Sequence, residues 1–472
     1  MIQIACNDPL YTYDVFHIVK AFLPAAEIEQ SVNDEQESLV EVQLGSDSCF
    51  FVSSSDVSDC VDKGEVKRLI GRRLYTWLAG ETGETLPWGM LTGIRPTKLI
   101  IGQMEKKQDD EAIKRHLSEN YFVSEEKIKL GIQIAKTERN LLEQLDYENG
   151  YSLYIGIPFC PTTCSYCSFA SFPITAWKHR VGEYLDALGK EIASVAKIMQ
   201  DRRLNTVYIG GGTPTTLEPE ELRRLLKDME AQFSYAGLQE FTVEAGRPDS
   251  ITRDKLEVLR EFAVSRISIN PQTMQQKTLD SIGRRHTAQE IREAYNLARE
   301  LGFDNINMDL IAGLPGETRI EMKDTLEQVR MMNPDSLTVH ALAIKRAAKM
   351  GQEKQTERIT GDELSAMITL GADYGSAMGM SPYYMYRQKN IAGSFENVGY
   401  AKVDKAGIYN ILIMEEKQSI IALGAGATTK VVYNDGEEQR RKIVRVENVK
   451  NVTQYIARID EMIKRKEEVI WR

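Results

Sequence analysis

The stretch "YIGIPFCPTTCSYCSF", residues 154–169, places Cys160, Cys164 and Cys167 within eight positions of a 472-residue chain that has only three other cysteines. It follows a short apolar run, "SLYIGIP" (152–158), that reads as a β-strand. No fourth cysteine lies near, and the other three, Cys6, Cys49 and Cys60, are scattered without framework spacing. Close spacing in a chain without secretion signals points to a metal or redox role for the trio, not to disulfides.

The rhythm outward from this loop fixes the expected fold. Apolar runs recur at "TVYIGG" (206–211), "FTVEA" (241–245), "RISIN" (266–270), "NINMDLI" (305–311) and "SLTVHAL" (336–342). Amphipathic stretches separate them, among them "EPEELRRLLKDMEAQF", whose Pro219 and clustered glutamates suit a helix start. Six strands alternating with helices predict α/β architecture, a parallel sheet with right-handed crossovers. The count suits a partial (β/α)6 barrel, with a doubly wound open sheet as the alternative. In either, functional residues gather where strands run into the following loops. Those endings are the cysteine loop, "GGGTP" (210–214), Glu244, "NPQ" (270–272) and Asp309 ahead of "AGLPGE". Packing alone does not account for polar or glycine-rich endings on five successive strands.

The expected organisation is three-part. Residues 1–145 form an N-terminal accessory α+β domain, with strands at "SLVEVQLG" and "CFFVSS", helices at "EAIKRHLSENYF" and "SEEKIKLGIQIAKTERNLLEQL", and a loop at "PWGMLTGIRPTKL" whose Arg95 and Lys98 suit an anionic ligand or a solvated surface. Residues 146–345 form the core, and 346–472 a C-terminal α+β extension closing one side. Composition is that of a globular protein, 42% hydrophobic and 27% charged, with no apolar run of membrane-span length. The first residues lack a signal-peptide pattern, so a cytoplasmic location is expected. A net charge of −10 argues against general nucleic-acid binding.

Three thiolates on one loop suit a [4Fe–4S] cluster with one iron left open, since a cubane takes one ligand per iron. A structural zinc site would close its tetrahedron with a fourth Cys or His, and His179 is the nearest candidate. Zinc and a redox thiol cluster remain the alternatives on spacing alone.

The C-x3-C-x2-C loop after a strand, with Tyr166 before the last cysteine, resembles the signature of the radical S-adenosylmethionine (SAM) superfamily. The resemblance implies that SAM chelates the open iron and that the reduced cluster cleaves it to a 5′-deoxyadenosyl radical. "GGGTP" resembles the variant found in oxygen-independent coproporphyrinogen III oxidases. By that resemblance Gly211, Gly212 and Thr213 serve the methionine moiety, and Tyr154 and Tyr166 lie near the cofactor. Glu244 matches the glutamate of an "E-x-x-P" strand ending. Gln272 and Arg284 match residues holding the ribose and carboxylate, Asp309 one beside the adenosine, and Ala343 an adenine-contacting backbone. Taken alone, Arg284 reads as a solvated helix end and Asp309 as a satisfied core carboxylate, the latter costly to bury.

The resemblance covers residues 150–435, and "WGMLTGIRPTKL" with "YYMYRQKN" most resemble the HemZ branch of coproporphyrinogen dehydrogenase-like proteins. It implies oxidative decarboxylation of coproporphyrinogen III to protoporphyrinogen IX, with an electron donor such as flavodoxin or ferredoxin. A substrate with four carboxylates needs local cations, for which Lys345, Arg346, Lys349, Arg387 and Lys389 are candidates. Tyr384 and Tyr386 are candidates for stacking on the tetrapyrrole. The family's oxidases carry a fourth cysteine two places after the third, where this chain has Phe169, a departure shared with the haem-chaperone branch. A haem-binding carrier that retains the cluster, or a radical enzyme on another tetrapyrrole, is the alternative.

Overall fold

A computed structural model describes residues 1–46, 48–169, 171–343, 350, 359–388, 395–433 and 442–470. The chain divides into two compact units, one of Met1–Lys136 with Ile359–Ser365 and Met385–Asn397, the other of Thr137–Arg358 with Ala366–Tyr384 and Val398–Arg472.

The first unit is built on a four-stranded sheet in the order β2-β1-β3-β4, from β1 (Ile2–Cys6), β2 (Ile28–Val32), β3 (Ser38–Leu44) and β4 (Ser48–Ser53). β1 runs parallel to β2 and antiparallel to β3. Alternation decides which face is covered: Ile2, Ile4, Val40, Val42 and Val52 are buried, while Gln3 and Phe51 are exposed. Helix α1 (Pro9–Phe22), started by Asp8 accepting from the Leu10 amide at 2.8 Å, packs Val15, Ile18, Val19 and Phe22 into the same core. Helix α2 (Lys63–Thr82) adds Ile70, Leu74 and Leu78. The stretch expected to be loop turns helical at Thr97, where α3 (Thr97–Glu105) begins behind Pro96. Helices α4 (Asp110–Tyr121) and α5 (Glu125–Glu143) fall where periodicity predicts them.

In the second unit six strands pair in chain order, each parallel to the next: β5 (Gly150–Ile157), β6 (Arg203–Gly211), β7 (Glu240–Gly246), β8 (Arg266–Ile269), β9 (Ile306–Ala312) and β10 (Ser336–Ala341). Helices α6 (Val181–Ile198), α7 (Pro219–Gln232), α8 (Arg253–Glu261), α9 (Ala288–Glu300) and α10 (Arg319–Met332) connect them. The sheet does not close. β11 (Glu396–Ala401) pairs antiparallel with β10 at one edge, and β12 (Ser419–Leu423) adds parallel to β5 at the other. β13 (Thr428–Tyr433) and β14 (Lys442–Glu447) continue antiparallel. The partial (β/α)6 barrel is thus present, and the C-terminal segment supplies a seventh parallel strand.

Capping explains the sharp helix starts. Glu218 with Glu221, Thr287 with Glu290, and Thr318 with Glu321 form reciprocal boxes at the heads of α7, α9 and α10. Against these helices the sheet presents Leu153, Ile155, Val207, Ile209, Val243, Ile267, Met308, Leu310 and Leu337, all fully buried. The alternate positions carry Tyr154, Tyr208, Glu244, Ser268, Asn307, Asp309, Thr338 and His340. Parallel strands are ordinarily apolar on both faces. A face this polar requires another explanation.

Candidate functional site: a cysteine loop at the polar face of the parallel sheet

The cysteine loop is tied by three hydrogen bonds to two neighbouring segments. The Ser165 amide donates to the Ile282 carbonyl (3.1 Å), the Met350 amide to the Ser165 carbonyl (3.0 Å), and Thr162 Oγ1 to the Gly283 carbonyl (2.9 Å). The glycine-rich turn is stitched to the chain running from β5 into the cysteine loop, with Gly212 N on the Ile157 carbonyl and Thr213 N on the Phe159 carbonyl, both at 2.7 Å. A Cβ at Gly212 would lie 2.4 Å from that Phe159 oxygen. The glycine there admits the cysteine-loop backbone itself.

Each thiol faces its own donor. Thr213 Oγ1 lies 3.6 Å from Cys160 Sγ, and Arg247 Nη1 lies 3.7 Å from Cys164 Sγ. Ser171 and the Phe169 backbone approach Cys167. Burial pushes the Cys160 thiol up to about 11 and raises that of Cys167, so with no cationic partner bound both stay protonated. Among the described residues no three His, Cys, Asp or Glu side chains converge on a single-ion site. All six cysteines are free.

Behind the loop lies the polar face. Tyr208 donates to Glu244 Oε1 at 2.5 Å, and its ring stacks 4.6 Å from Tyr409 and 6.1 Å from Tyr154. Desolvation, reinforced by Asp309 and only partly relieved by Tyr208, pushes the Glu244 carboxyl up to about 7. Burial opposes the charge on Asp309 as well, but His340 at 3.9 Å with Asn307 and Thr338 outweighs it and holds that carboxyl below its ordinary range. Arg284 donates to the Tyr166 hydroxyl (3.1 Å) and the Asn270 carbonyl (2.7 Å). Gln272 sits at φ 69°, a conformation disfavoured for a side chain of its size. Its backbone bridges β9 through Asp309 O and Ile311 N, both at 2.9 Å.

Among the described residues, Gln272 Oε1, Asn270 Oδ1 and Arg284 Nε on this face, and Ser165 Oγ on the cysteine loop, are buried without a hydrogen-bond partner. Leaving such atoms unmatched costs about 1–3 kcal/mol each. Two amide oxygens and a guanidinium edge left open in a site with three thiols and two carboxylates fit a ligand carrying amine, carboxylate and sugar hydroxyls.

The structure therefore brings together Tyr154, Tyr166, Thr213, Glu244, Arg284 and Asp309 with the cysteine loop, and Gln272 joins them through the Asp309 carbonyl. Ala343 follows Leu342, whose amide bonds the Ala312 carbonyl at the end of β9 (2.9 Å). Tyr384 belongs to the second unit, its ring packed over Gly399. Tyr386 and Arg387 belong to the first, where buried Arg387 donates to the Leu91 carbonyl and lies 6.0 Å over the Trp88 ring. Lys345 and Arg346, like Lys349 and Lys389, lie outside the described residues.

One spacing differs from expectation. Pro248 stands four residues after Glu244, not three, and the extra residue is taken up by a bulge: Ser268 pairs with Glu244, but Ile269 with Gly246. Gly246 turns there at φ 64° and aims Arg247 back at the cysteine loop. Sequence reading missed Arg247 and Tyr208. The only signals were the added residue and an aromatic two places before the glycine run.

A fold of parallel strands with a three-cysteine loop at one end and a polar face behind it defines a radical SAM protein, and residues 154–329 match the model of the Radical SAM superfamily. The chain is 40% identical over 425 residues to the oxygen-independent coproporphyrinogen-III oxidase-like protein HemZ of Bacillus subtilis (strain 168), spanning 88% of this chain and 84% of that one. It is 38% identical over 196 residues to the heme chaperone HemW of the same organism, spanning 41% of this chain and 51% of that one. Coproporphyrinogen III oxidase (HemN) from Escherichia coli shares the fold, with a TM-score of 0.55 at 23% identity over 69% of this chain and 73% of that one. The chain belongs to the radical SAM family of oxygen-independent coproporphyrinogen III oxidase-like proteins. Its cofactors are accordingly a [4Fe–4S] cluster and S-adenosylmethionine. Among the described residues no helix is long and apolar enough to cross a membrane.

Proposed function

We propose that the protein is an oxygen-independent coproporphyrinogen III dehydrogenase, working in the cytoplasm with a flavodoxin- or ferredoxin-type electron donor. Two of the substrate's four propionates, those on rings A and B, each lose CO2, one hydrogen atom and one electron, the last to an acceptor, to become vinyl groups. The observation that carries the reading is the set of buried atoms left unpartnered among the described residues, Gln272 Oε1, Asn270 Oδ1 and Arg284 Nε, in the site of Cys160, Cys164 and Cys167.

Cys160, Cys164 and Cys167 would hold the cluster as thiolates. The bound cofactors supply one-electron reduction and hydrogen-atom abstraction. Glu244, near neutrality when alone, takes up the methionine ammonium, whose charge draws it to the carboxylate form. Arg284, held by Tyr166, meets the carboxylate. Gln272 and Asp309 accept from ribose hydroxyls. Gly211, Gly212 and Thr213 offer backbone and hydroxyl to the methionine end, while Tyr154 walls the site and Ala343 borders the adenine. Lys345, Arg346, Tyr384, Tyr386 and Arg387 are the proposed substrate contacts.

A haem carrier is the second reading, favoured by Phe169, 72% exposed beside the cysteine loop where the family's oxidases carry a cysteine. Against it, Thr429, in the segment where the chaperones carry a histidine, is buried and bonded to both the Ala422 amide (2.9 Å) and carbonyl (3.2 Å). The test is anaerobic. The protein is reconstituted with iron and sulfide and given dithionite, SAM and coproporphyrinogen III, and 5′-deoxyadenosine and protoporphyrinogen are quantified together. Both products support the dehydrogenase. Deoxyadenosine without vinyl product removes the coproporphyrinogen reaction, and neither product from cluster-loaded protein removes the catalytic reading.

A further inference from the structure

Among the described groups that hydrogen-bond the three thiols, Arg247 alone carries a full charge, while Arg284 acts on Cys167 through its charge. Arg247 is 4% exposed, and its guanidinium is fixed on both edges. Nε and Nη2 pair with the two oxygens of Asp249, at 3.0 and 2.7 Å. Nη1 reaches the Thr162 carbonyl (2.9 Å), the Thr162 hydroxyl (2.8 Å) and Cys164 Sγ (3.7 Å). Asp249 also faces the Nδ1 of buried His286 at 3.8 Å. The arrangement exists because the Glu244–Gly246 bulge inserts a residue ahead of Pro248, and the short helical turn Pro248–Ser250 places the carboxylate opposite the guanidinium. Thr162 is anchored in turn on the Gly283 carbonyl, so the arginine is held from the cysteine loop and from the strand end at once.

We infer that Arg247 is a positioning residue that sets the reduction potential of the cluster through Cys164, with Asp249 moderating its charge. The inference rests on the assignment of the cysteine trio as cluster ligands. Hydrogen bonds to the ligand sulfurs and net local charge are among the factors that fix an iron–sulfur potential. Reduction adds one negative charge to the cluster. A buried guanidinium beside one of its sulfurs favours that reduced state, and in a site shielded from water the interaction is little screened. The carboxylate of Asp249 offsets part of this. Removing the arginine therefore lowers the potential, and neutralising the aspartate raises it. The contacts of Thr213 and Ser171 with the other two thiols are neutral and carry no such charge.

The experiment is an EPR-monitored redox titration of the reconstituted full-length protein, with iron and sulfide content measured on each sample. Arg247→Met should lower the midpoint until, at fixed poise, the reduced-to-oxidised ratio falls about tenfold, equivalent to about 59 mV for one electron. Arg247→Lys should fall less, and Asp249→Asn should move the midpoint upward. Opposite signs at full iron content support the inference, since a merely structural disturbance would not reverse between partners. Unmoved midpoints, or shifts of one sign in both variants, overturn it. Should Arg247→Met fail to retain cluster, Asp249→Asn decides alone: raised supports, unmoved overturns. A Cys164→Ala protein that keeps a complete four-iron cluster breaks the assignment of the trio itself, and the inference with it.

Discussion

Two buried polar regions of the second unit differ in one respect, the state of their hydrogen bonds. Around Glu191 everything is matched. Its carboxylate accepts from Asn448 (2.8 Å), Lys466 (2.6 Å), the Gly424 amide (2.8 Å) and the Tyr455 hydroxyl (2.6 Å), and both charged side chains are fully buried. This cluster clamps the C-terminal helix α11 (Ile459–Ile470) and the turn after β12 to α6. Around Gln272 and Arg284 the partners among the described residues run out. A saturated network needs nothing further and serves stability. An unsaturated one retained in the interior marks a place where a ligand completes the bonding.

The largest expected effect falls on the unsaturated side. Cys164→Ala should abolish the four-iron cluster and with it SAM cleavage, measured as iron content and deoxyadenosine, while the thermal midpoint of the metal-free protein moves little. If cleavage persists, the polar face is not the working site.

On the saturated side, Lys466→Met should cost about 3–5 kcal/mol of stability by stranding a buried carboxylate. Denaturant titration of the metal-free protein reads this directly. A loss below about 1 kcal/mol would erase the distinction between the two regions.

Glu244 supplies the next effect, a pH dependence. Its carboxyl is raised from 4.5 to about 7, so the folded state holds a proton that the unfolded chain has lost. The contribution is fully present below about pH 4.5 and fades as pH rises through 7, worth about 3 kcal/mol across that window. Parent protein without cofactors should therefore lose stability relative to Glu244→Gln between those limits. Parallel stability–pH curves would refute the shift, and added SAM should flatten the parent's curve.

The smallest change in stability is expected at Gln272. Replacing it with glycine removes an unmatched amide and relieves the left-handed backbone, so stability should stay within about 1 kcal/mol of the parent. SAM affinity, read by calorimetry, should nevertheless fall at least tenfold. Loss of stability with retained affinity would reverse the roles assigned to the two regions.

Much of this was legible in the chain. Short apolar runs alternating with amphipathic stretches identified the six parallel strands to within a few residues, because each strand must be buried under helices whatever lies on its other face. The cysteine spacing, the glycine run and the strand-end Glu244 and Asp309 were readable because their chemistry is local. The first unit was read less fully: β1, β2, α1 and α2 form around a core assembled from distant segments, and no short motif marks them. The loop expected over residues 87–99 ended early because a helix begins at Thr97 behind Pro96.

What the sequence by itself determined was the alternation of strands and helices and the identity of the thiolate loop, since both follow from periodicity and spacing along the chain. Only the tertiary structure decided which side chain faces which thiol, that a bulge turns Arg247 onto Cys164, that β12 extends the parallel sheet beyond β5, and which buried atoms are left without partners. Those are relations between residues up to hundreds of positions apart. They depend on register and burial, which no local pattern encodes.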